Sequence, residues 1–251
     1  MAKKKIRLDL LLVKRGLAPA VDKAQALIGA GKVKVNGLLS DKAGTAVLID
    51  SDIEITTPSH PYVSRGGIKL IHALSYFSIN VSGLICMDVG ASTGGFTDCL
   101  LKNGALKVYA VDVGYGQMDW VLRNDPRVVL MERTNIRHLP GDAIRDPIEI
   151  AAVDVSFISL KAVTPALLRF MKPGGKIVAL IKPQFEVARE RVERGGIVKD
   201  PASRQEAVDD LIHFFKYDLG LDVIGVTPSP ILGIRGNTEF LIYMQVNNRY
   251  E

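Results

Sequence analysis

The stretch DVGASTGGFT, residues 88–97, constrains the chain more than any other. An apolar run closes at Val89, and Gly90, Gly94 and Gly95 follow within six residues. A glycine turn after a strand lets a ligand approach the backbone, and the helix that follows offers free N–H groups. Two familiar loops fit only in part. A phosphate loop reads G-x-x-x-x-G-K-[ST]. Gly90, Gly95 and Thr97 keep that spacing, but Phe96 stands where the lysine belongs. A dinucleotide loop reads G-x-G-x-x-G, and Ala91-Ser92 breaks it. Without the lysine the loop is poorly suited to a triphosphate. It suits a ligand with a smaller or carboxylate-bearing tail.

From residue 84 onward, short β-branched runs recur: LICMDVG, KVYAVDVG, RVVLME, IEIAAVDVS, GKIVALIKP and LDVIGVTPSP. Helical or loop-like stretches separate them, which predicts parallel strands joined by crossovers. TEFLIYMQV follows the sixth run with no helix between, so the last strand should run antiparallel. The expected fold is α/β, a Rossmann-like doubly wound sheet of about seven strands with the last one reversed. Ligands in such sheets bind beyond the carboxyl ends of the strands. Asp112 ends the second run, twenty-four residues after Asp88. A carboxylate there can accept hydrogen bonds from ribose hydroxyls. An adenosine-bearing cofactor is implied, and NAD and S-adenosylmethionine both satisfy the pattern.

The net charge of +5 is unevenly spread. Residues 1–60 hold ten Lys/Arg against six Asp/Glu, a net of +4; residues 61–251 hold 22 against 21. A basic module on a near-neutral larger one is the footprint of a nucleic-acid-binding appendage. That module has its own pattern. Leu8, Leu11 and Leu12 recur at helical spacing up to Gly16, and Ala24, Leu27 and Ile28 form a second short face ended by Gly29 and Gly31. KVKVNG alternates and ends in Asn36-Gly37, a hairpin signal, and DSDIEI gives another strand. With Arg7-Leu8-Asp9, these features resemble the small RNA-binding domain first described in ribosomal protein S four. That family often carries Ser-Arg before its second helix, where this chain has Val21-Asp22. The expected RNA contacts are Lys4, Lys5, Arg7, Lys14, Arg15, Lys23, Lys32, Lys34 and Arg65, with affinity falling steeply as salt rises. The segment TTPSHPYVSRGG reads as a linker. The expected division is 1–58 for the small domain, 59–66 for the linker and 67–251 for the large domain.

DVGASTGGFT together with VDVGYGQ, LRNDP, ERTNIR, DVSFISL and LIKPQFE resembles the TlyA group, historically labelled haemolysins, which is similar to the FtsJ-type ribose 2′-O-methyltransferases. The resemblance runs over nearly the whole chain. It implies a class I methyltransferase fold, S-adenosyl-L-methionine as cofactor, ribosomal RNA or ribosomal subunits as partner, and methylation of a cytidine 2′-hydroxyl. It also implies a Lys-Asp-Lys-Glu catalytic set, matched by Lys69, Asp154, Lys182 and Glu239. Lys182 follows an apolar run, where burial would favour the neutral base, and is read as the group that activates the hydroxyl. Lys69 positions substrate, while Asp154 and Glu239 are expected beside Lys182. The cofactor residues are expected to be Asp88, Gly90, Ala91, Ser92, Thr93, Gly94, Gly95, Phe96, Thr97, Asp112 and Asn135. Arg133, Arg137 and Arg235 are weaker candidates for an RNA path, and Trp120 reads as core.

Other classes fit less well. No stretch approaches the ~18 apolar residues of a membrane helix, and Lys3–Lys5 lead into Arg7 and Asp9 rather than an apolar signal segment. A cytoplasmic setting follows, and a membrane-acting cytolysin gains no support. Cys86 and Cys99 offer no disulfide framework or metal spacing, so no metal is expected. Nor does either sit where a pyrimidine-attacking nucleophile would. DVSF lacks the proline motif of exocyclic-amine methyltransferases. A non-catalytic RNA-binding assembly factor is the remaining alternative, and the four-residue set argues against it.

Overall fold

A computed structural model describes residues 5–29, 32–40, 42–55, 60–233 and 236–247. Chain contacts divide it into two compact units, residues 1–63 and 64–251, with the boundary inside the stretch read as linker.

In the small unit β1 (Lys5–Arg7) leads directly into α1 (Leu8–Lys14). Gly16 ends that turn with φ at +69°, and α2 (Val21–Gly29) follows. β2 (Val33–Val35) and β3 (Leu38–Leu39) form the hairpin. Asn36 and Gly37 both take positive φ, +51° and +79°, which a two-residue hairpin turn of this hand requires. β4 (Ala46–Leu48) pairs with β1, and β5 (Ile53–Ile55) pairs with β2. Leu8, Leu11, Leu12, Ala24, Ile28, Val33 and Val47 form the core. Asp9 is buried with them. It accepts from Arg7 Nε and Nη2 at 3.1 and 2.6 Å, from Gln25 Nε2 at 2.9 Å and from Leu10 N–H at 2.8 Å. The Arg7 guanidinium holds its pKa down to about 2.

The large unit opens with α3 (Gly66–Tyr76), then alternates: β6 (Ile85–Val89), α4 (Gly95–Lys102), β7 (Lys107–Val111), α5 (Trp120–Arg123), β8 (Val128–Met131), β9 (Ile148–Val153), α6 (Leu160–Leu168) and β10 (Met171–Ile181). α7 (Pro201–His213), β11 (Asp222–Pro228) and β12 (Phe240–Gln245) complete it. The seven strands lie in the order β11-β12-β10-β9-β6-β7-β8. β12 is antiparallel to both neighbours, and the pairs from β10 to β8 are parallel. This is the Rossmann-like sheet with a reversed last strand. Alternate residues divide between the faces. Met87, Val89, Ala151, Val153, Ile177, Ala179 and Met244 pack against α6 and α7 through Leu160, Val163, Leu167, Val208 and Leu211. On the opposite face α3 lies against α4, and Phe77 at its end meets Tyr243 with ring centroids 5.4 Å apart.

Trp120, read as core, is 58% exposed. It opens a four-residue helix that buries only Leu122, so its ring falls on the outward face. No helix among the described residues is long and apolar enough to cross a membrane. Nor do these residues bring together three or more His, Cys, Asp or Glu side chains able to hold a metal.

Candidate active site

Three adjacent strands, β9, β6 and β7, end level. Val89 of β6 is in register with Val111 of β7 and with Val153 of β9. One step further, Gly90, Asp112 and Asp154 therefore stand side by side at the carboxyl edge of the sheet. Gly90 N–H donates to Val111 O at 2.9 Å, and Asp154 N–H donates to Val89 O at 2.9 Å. Gly90 sits at φ +86°, and a Cβ there would fall onto the Asp154 carbonyl. Glycine is required at this crossing.

The loop is braced from below. Asp88, wholly buried, accepts from Thr97 N–H at 2.8 Å and from Thr97 Oγ1–H at 2.6 Å. Burial pushes its pKa up to about 7, with Asp154 and Asp112 adding to the rise against the Thr97 hydrogen bonds. Its other oxygen, Oδ1, is buried without a hydrogen-bond partner. Asp88 and Thr97 thus fix the start of α4 and lie outside the lining of the cleft above it. Gly94, at φ +93°, begins that helix with no side-chain cap. A Cβ at Gly94 would meet Leu122 and Met118, and one at Gly95 would meet Ser64 and the backbone of Gly66 and Gly67. Gly95 lets the starts of α3 and α4 touch.

Above the loop opens a cleft of about 160 Å³. Gly90–Thr93, Gly95 and Phe96 line one side, Ser64–Gly66 and Lys69 another, and Asp154, Leu232 and Gly233 the rest. Phe96 is buried and borders the cleft, with its ring against Gly66. Asp112 lies beyond the lining. Its two oxygens accept Ser92 N–H at 2.7 Å and Gly114 N–H at 2.6 Å, which aims the carboxylate and holds Ser92 at φ +48°. Asn135 caps the turn at 136–138 by accepting Arg137 N–H at 3.0 Å, and it too lies outside the lining.

The four ionisable residues form two pairs. Lys182 Nζ stands 2.6 Å from Asp154 Oδ1 and donates to Ser156 Oγ at 2.8 Å. The Asp154 contact is ionic by distance; its angles miss hydrogen-bonding range, which leaves Oδ1 without a hydrogen-bond partner. Lys69 Nζ donates to Glu239 Oε2 at 2.5 Å. Both lysines are 9% exposed and Glu239 is 3% exposed. Glu239, expected beside Lys182, makes its ion pair with Lys69. The register Ile181↔Phe240 sets Glu239 level with Lys182, yet its carboxylate turns to α3 and packs on Gly233, where a Cβ would overlap it. Lys69 and Asp154 reach the cleft wall, with Lys182 and Glu239 behind them.

The basic residues are scattered in role. Lys5, Lys14, Arg15 and Lys23 are exposed, and Lys32 is half-buried. Arg15 donates to Ile49 O at 2.6 Å, and Lys34 pairs with Glu54 at 3.3 Å. Arg7 is committed to Asp9. Arg65 lines the cleft mouth and donates to Leu232 O at 2.7 Å. Arg133 lies over the Tyr115 ring at 4.2 Å, a contact with no sequence signal. Ser156 is also new; its place two residues after a strand-end aspartate was the only clue. Lys4 and Arg235 lie outside the described residues.

The FtsJ-like methyltransferase model matches residues 62–246, nearly three quarters of the chain. The chain belongs to the FtsJ-like methyltransferase family. The S4 domain model matches residues 6–53. The 16S/23S rRNA (cytidine-2′-O)-methyltransferase TlyA of Mycobacterium tuberculosis is 46% identical over 243 residues, covering 96% of this chain and 90% of that protein. Hemolysin A of Brachyspira hyodysenteriae is 41% identical over 239 residues, covering 95% and 99%. A solved structure of a hemolysin-named protein from Streptococcus thermophilus aligns with a TM-score of 0.74 at 41% identity, covering 98% of this chain and 90% of that one.

Proposed function

We propose that this chain transfers the methyl group of S-adenosyl-L-methionine to the ribose 2′-hydroxyl of a cytidine in ribosomal RNA of the small subunit, the large subunit or both. The observation that carries the reading is the pairing of two buried lysines with carboxylates at the edge of a glycine-loop cleft, in a family of methyltransferases. Relatives named as rRNA cytidine-2′-O-methyltransferases point to the same acceptor.

The residues fit the cofactor. Gly90–Thr93 and the uncapped start of α4 present backbone to a ligand along the cleft wall. Asp112 would accept from ribose hydroxyls, and Gly90–Gly95 would hold the amino-acid end. Asp88 and Thr97 would support the loop. When bound, the cofactor supplies a methyl group already activated on a sulfonium. The remaining task is alignment and handling of one proton. Lys182 is the group that activates the 2′-hydroxyl, while Asp154 and Ser156 keep its Nζ in place. Lys69, held by Glu239, adds positive charge where the oxygen becomes negative. Arg65 guides RNA at the cleft mouth. Lys5, Lys14, Arg15, Lys23 and Lys32 of the small domain meet phosphates, and Arg7 contributes through Asp9.

The test is transfer of radiolabelled methyl from S-adenosyl-L-methionine to unmodified small and large ribosomal subunits, with Lys182→Ala alongside. The expected result is label at one alkali-resistant position, lost in the variant. No label on either subunit despite measurable cofactor binding would overturn the reading.

A further inference from the structure

Glu186 is a half-buried titratable group outside the four-residue set. It follows the single turn Pro183–Phe185 that leaves β10 after Lys182. Its carboxylate reaches back to the segment leaving β9. Oε2 accepts Ser159 Oγ–H at 2.5 Å, and Oε1 accepts Leu160 N–H at 2.9 Å. Ser159 Oγ in turn accepts Lys161 N–H at 3.1 Å. A carboxylate is suited to this place, because the start of α6 carries free N–H groups and positive dipole. Burial pushes the Glu186 pKa up, opposed by its hydrogen bonds to Ser159 and Leu160.

Two short segments carry the Lys182 pair. One runs from Asp154 through Ser156 to Ser159; the other runs from Lys182 to Glu186. At their near ends Lys182 meets Asp154 and Ser156. In the middle the Phe157 and Phe185 rings lie 5.1 Å apart. At their far ends Glu186 ties them together. The second segment is stiff: Lys182 O accepts Phe185 N–H at 2.9 Å, and Pro183 O accepts Glu186 N–H at 3.0 Å. The first is strained, with Phe157 at φ +63° and 90% exposed. Such a conformation persists only where its surroundings hold it, and the Phe157 ring is too exposed to supply that hold.

Building on the proposed methyl transfer, we infer that Glu186 is a positioning residue: it locks the β9 and β10 exits together and so holds Lys182 against Asp154 and Ser156. It never touches the reacting atoms. Glutamine keeps both contacts, with its oxygen on Leu160 N–H and its amide donating to Ser159 Oγ. Alanine loses both.

The experiment uses the full chain with ribosomal subunits, comparing wild type, Glu186→Ala and Glu186→Gln. In Glu186→Ala, kcat falls about 10- to 100-fold, the scale of a small misplacement, while the KM for RNA and the cofactor affinity hold. Glu186→Gln recovers most of the rate. A second readout does not need activity: in ¹⁵N-lysine-labelled protein, Lys182→Arg identifies the Lys182 Nζ signal. That signal is protected from solvent exchange in wild type and in Glu186→Gln, and loses protection in Glu186→Ala. Wild-type kcat and an unchanged Lys182 signal in a folded Glu186→Ala protein would overturn the inference. So would equal losses in kcat and cofactor affinity, the mark of general damage. If Glu186→Ala does not fold, Ser159→Ala decides: loss of rate and of Lys182 protection supports the clamp, and wild-type behaviour overturns it. If wild type transfers no methyl, the functional reading falls, while the Lys182 signal still decides the role of Glu186.

Discussion

Lys69 Nζ and Glu239 Oε2 lie 2.5 Å apart across 170 residues of sequence, both nearly closed to water. A buried ion pair adds little net stability over apolar packing, but breaking one strands a charge. Lys69→Ala should therefore destabilise the large domain by about 3–5 kcal/mol, and Lys69→Met with Glu239→Leu should recover most of that. Urea unfolding of Lys69→Ala, Lys69→Met, Glu239→Leu and the double would measure it. Additive losses would mean that the pair is not coupled.

Glu239 also fixes what can stand at position 233. A methyl group at Gly233 would fall on its carboxylate. Gly233→Ala should release Lys69 from its partner and cut methyl transfer by about tenfold or more, while cofactor affinity changes less than about twofold. Steady-state kinetics beside a cofactor titration would show the split.

Gly90 meets the Asp154 carbonyl, which is backbone and cannot swing aside. Gly90→Ala should weaken cofactor binding by about 1.4 kcal/mol or more, a tenfold change. It should also lower the melting temperature. Calorimetric titration of S-adenosyl-L-methionine would check the first, and an unchanged dissociation constant would contradict the crossing described.

Asp88 makes stability depend on pH. Its folded pKa of about 7 lies above the ordinary value of 3.8. A raised carboxyl contributes stability present below its unfolded pKa and lost as pH rises through the folded one. The large domain should lose stability between about pH 4 and 7, on this account, and Asp88→Asn should flatten that limb. Above pH 7 the variant should be the more stable protein. Chemical denaturation across pH would decide, and identical pH profiles would refute it.

Asp9 has the opposite sign. Arg7 holds its folded pKa near 2, below 3.8. Its contribution is present above 3.8 and lost as pH falls through about 2. Arg7→Ala should move that loss to higher pH and destabilise the small domain. Amide exchange at Leu8 and Leu10 against pH would follow it.

Much of this was legible because strand ends are punctuated in sequence. Val89, Val111 and Val153 each close an apolar run, and the residue after each is Gly90, Asp112 or Asp154. Asn36-Gly37 marked its hairpin with equal clarity. Contacts between elements distant in sequence were not legible. Glu239 reads as a neighbour of Lys182 from strand order, and only the packing of α3 over the sheet turns it to Lys69. Glu186 lies in a one-turn segment with no periodicity to expose a buried face. Trp120 misled because a large aromatic suggests core, and a four-residue helix has too few turns to bury more than one side.

The level ending of β6, β7 and β9 restricts how such a chain can change length. One residue added inside β9 would slide Asp154 past Gly90 and send alternate side chains through to the opposite face. An insertion within a connection, such as the turn 141–147, leaves that register intact. The reacting edge keeps a fixed frame, while the rest of the large domain is free to grow around it.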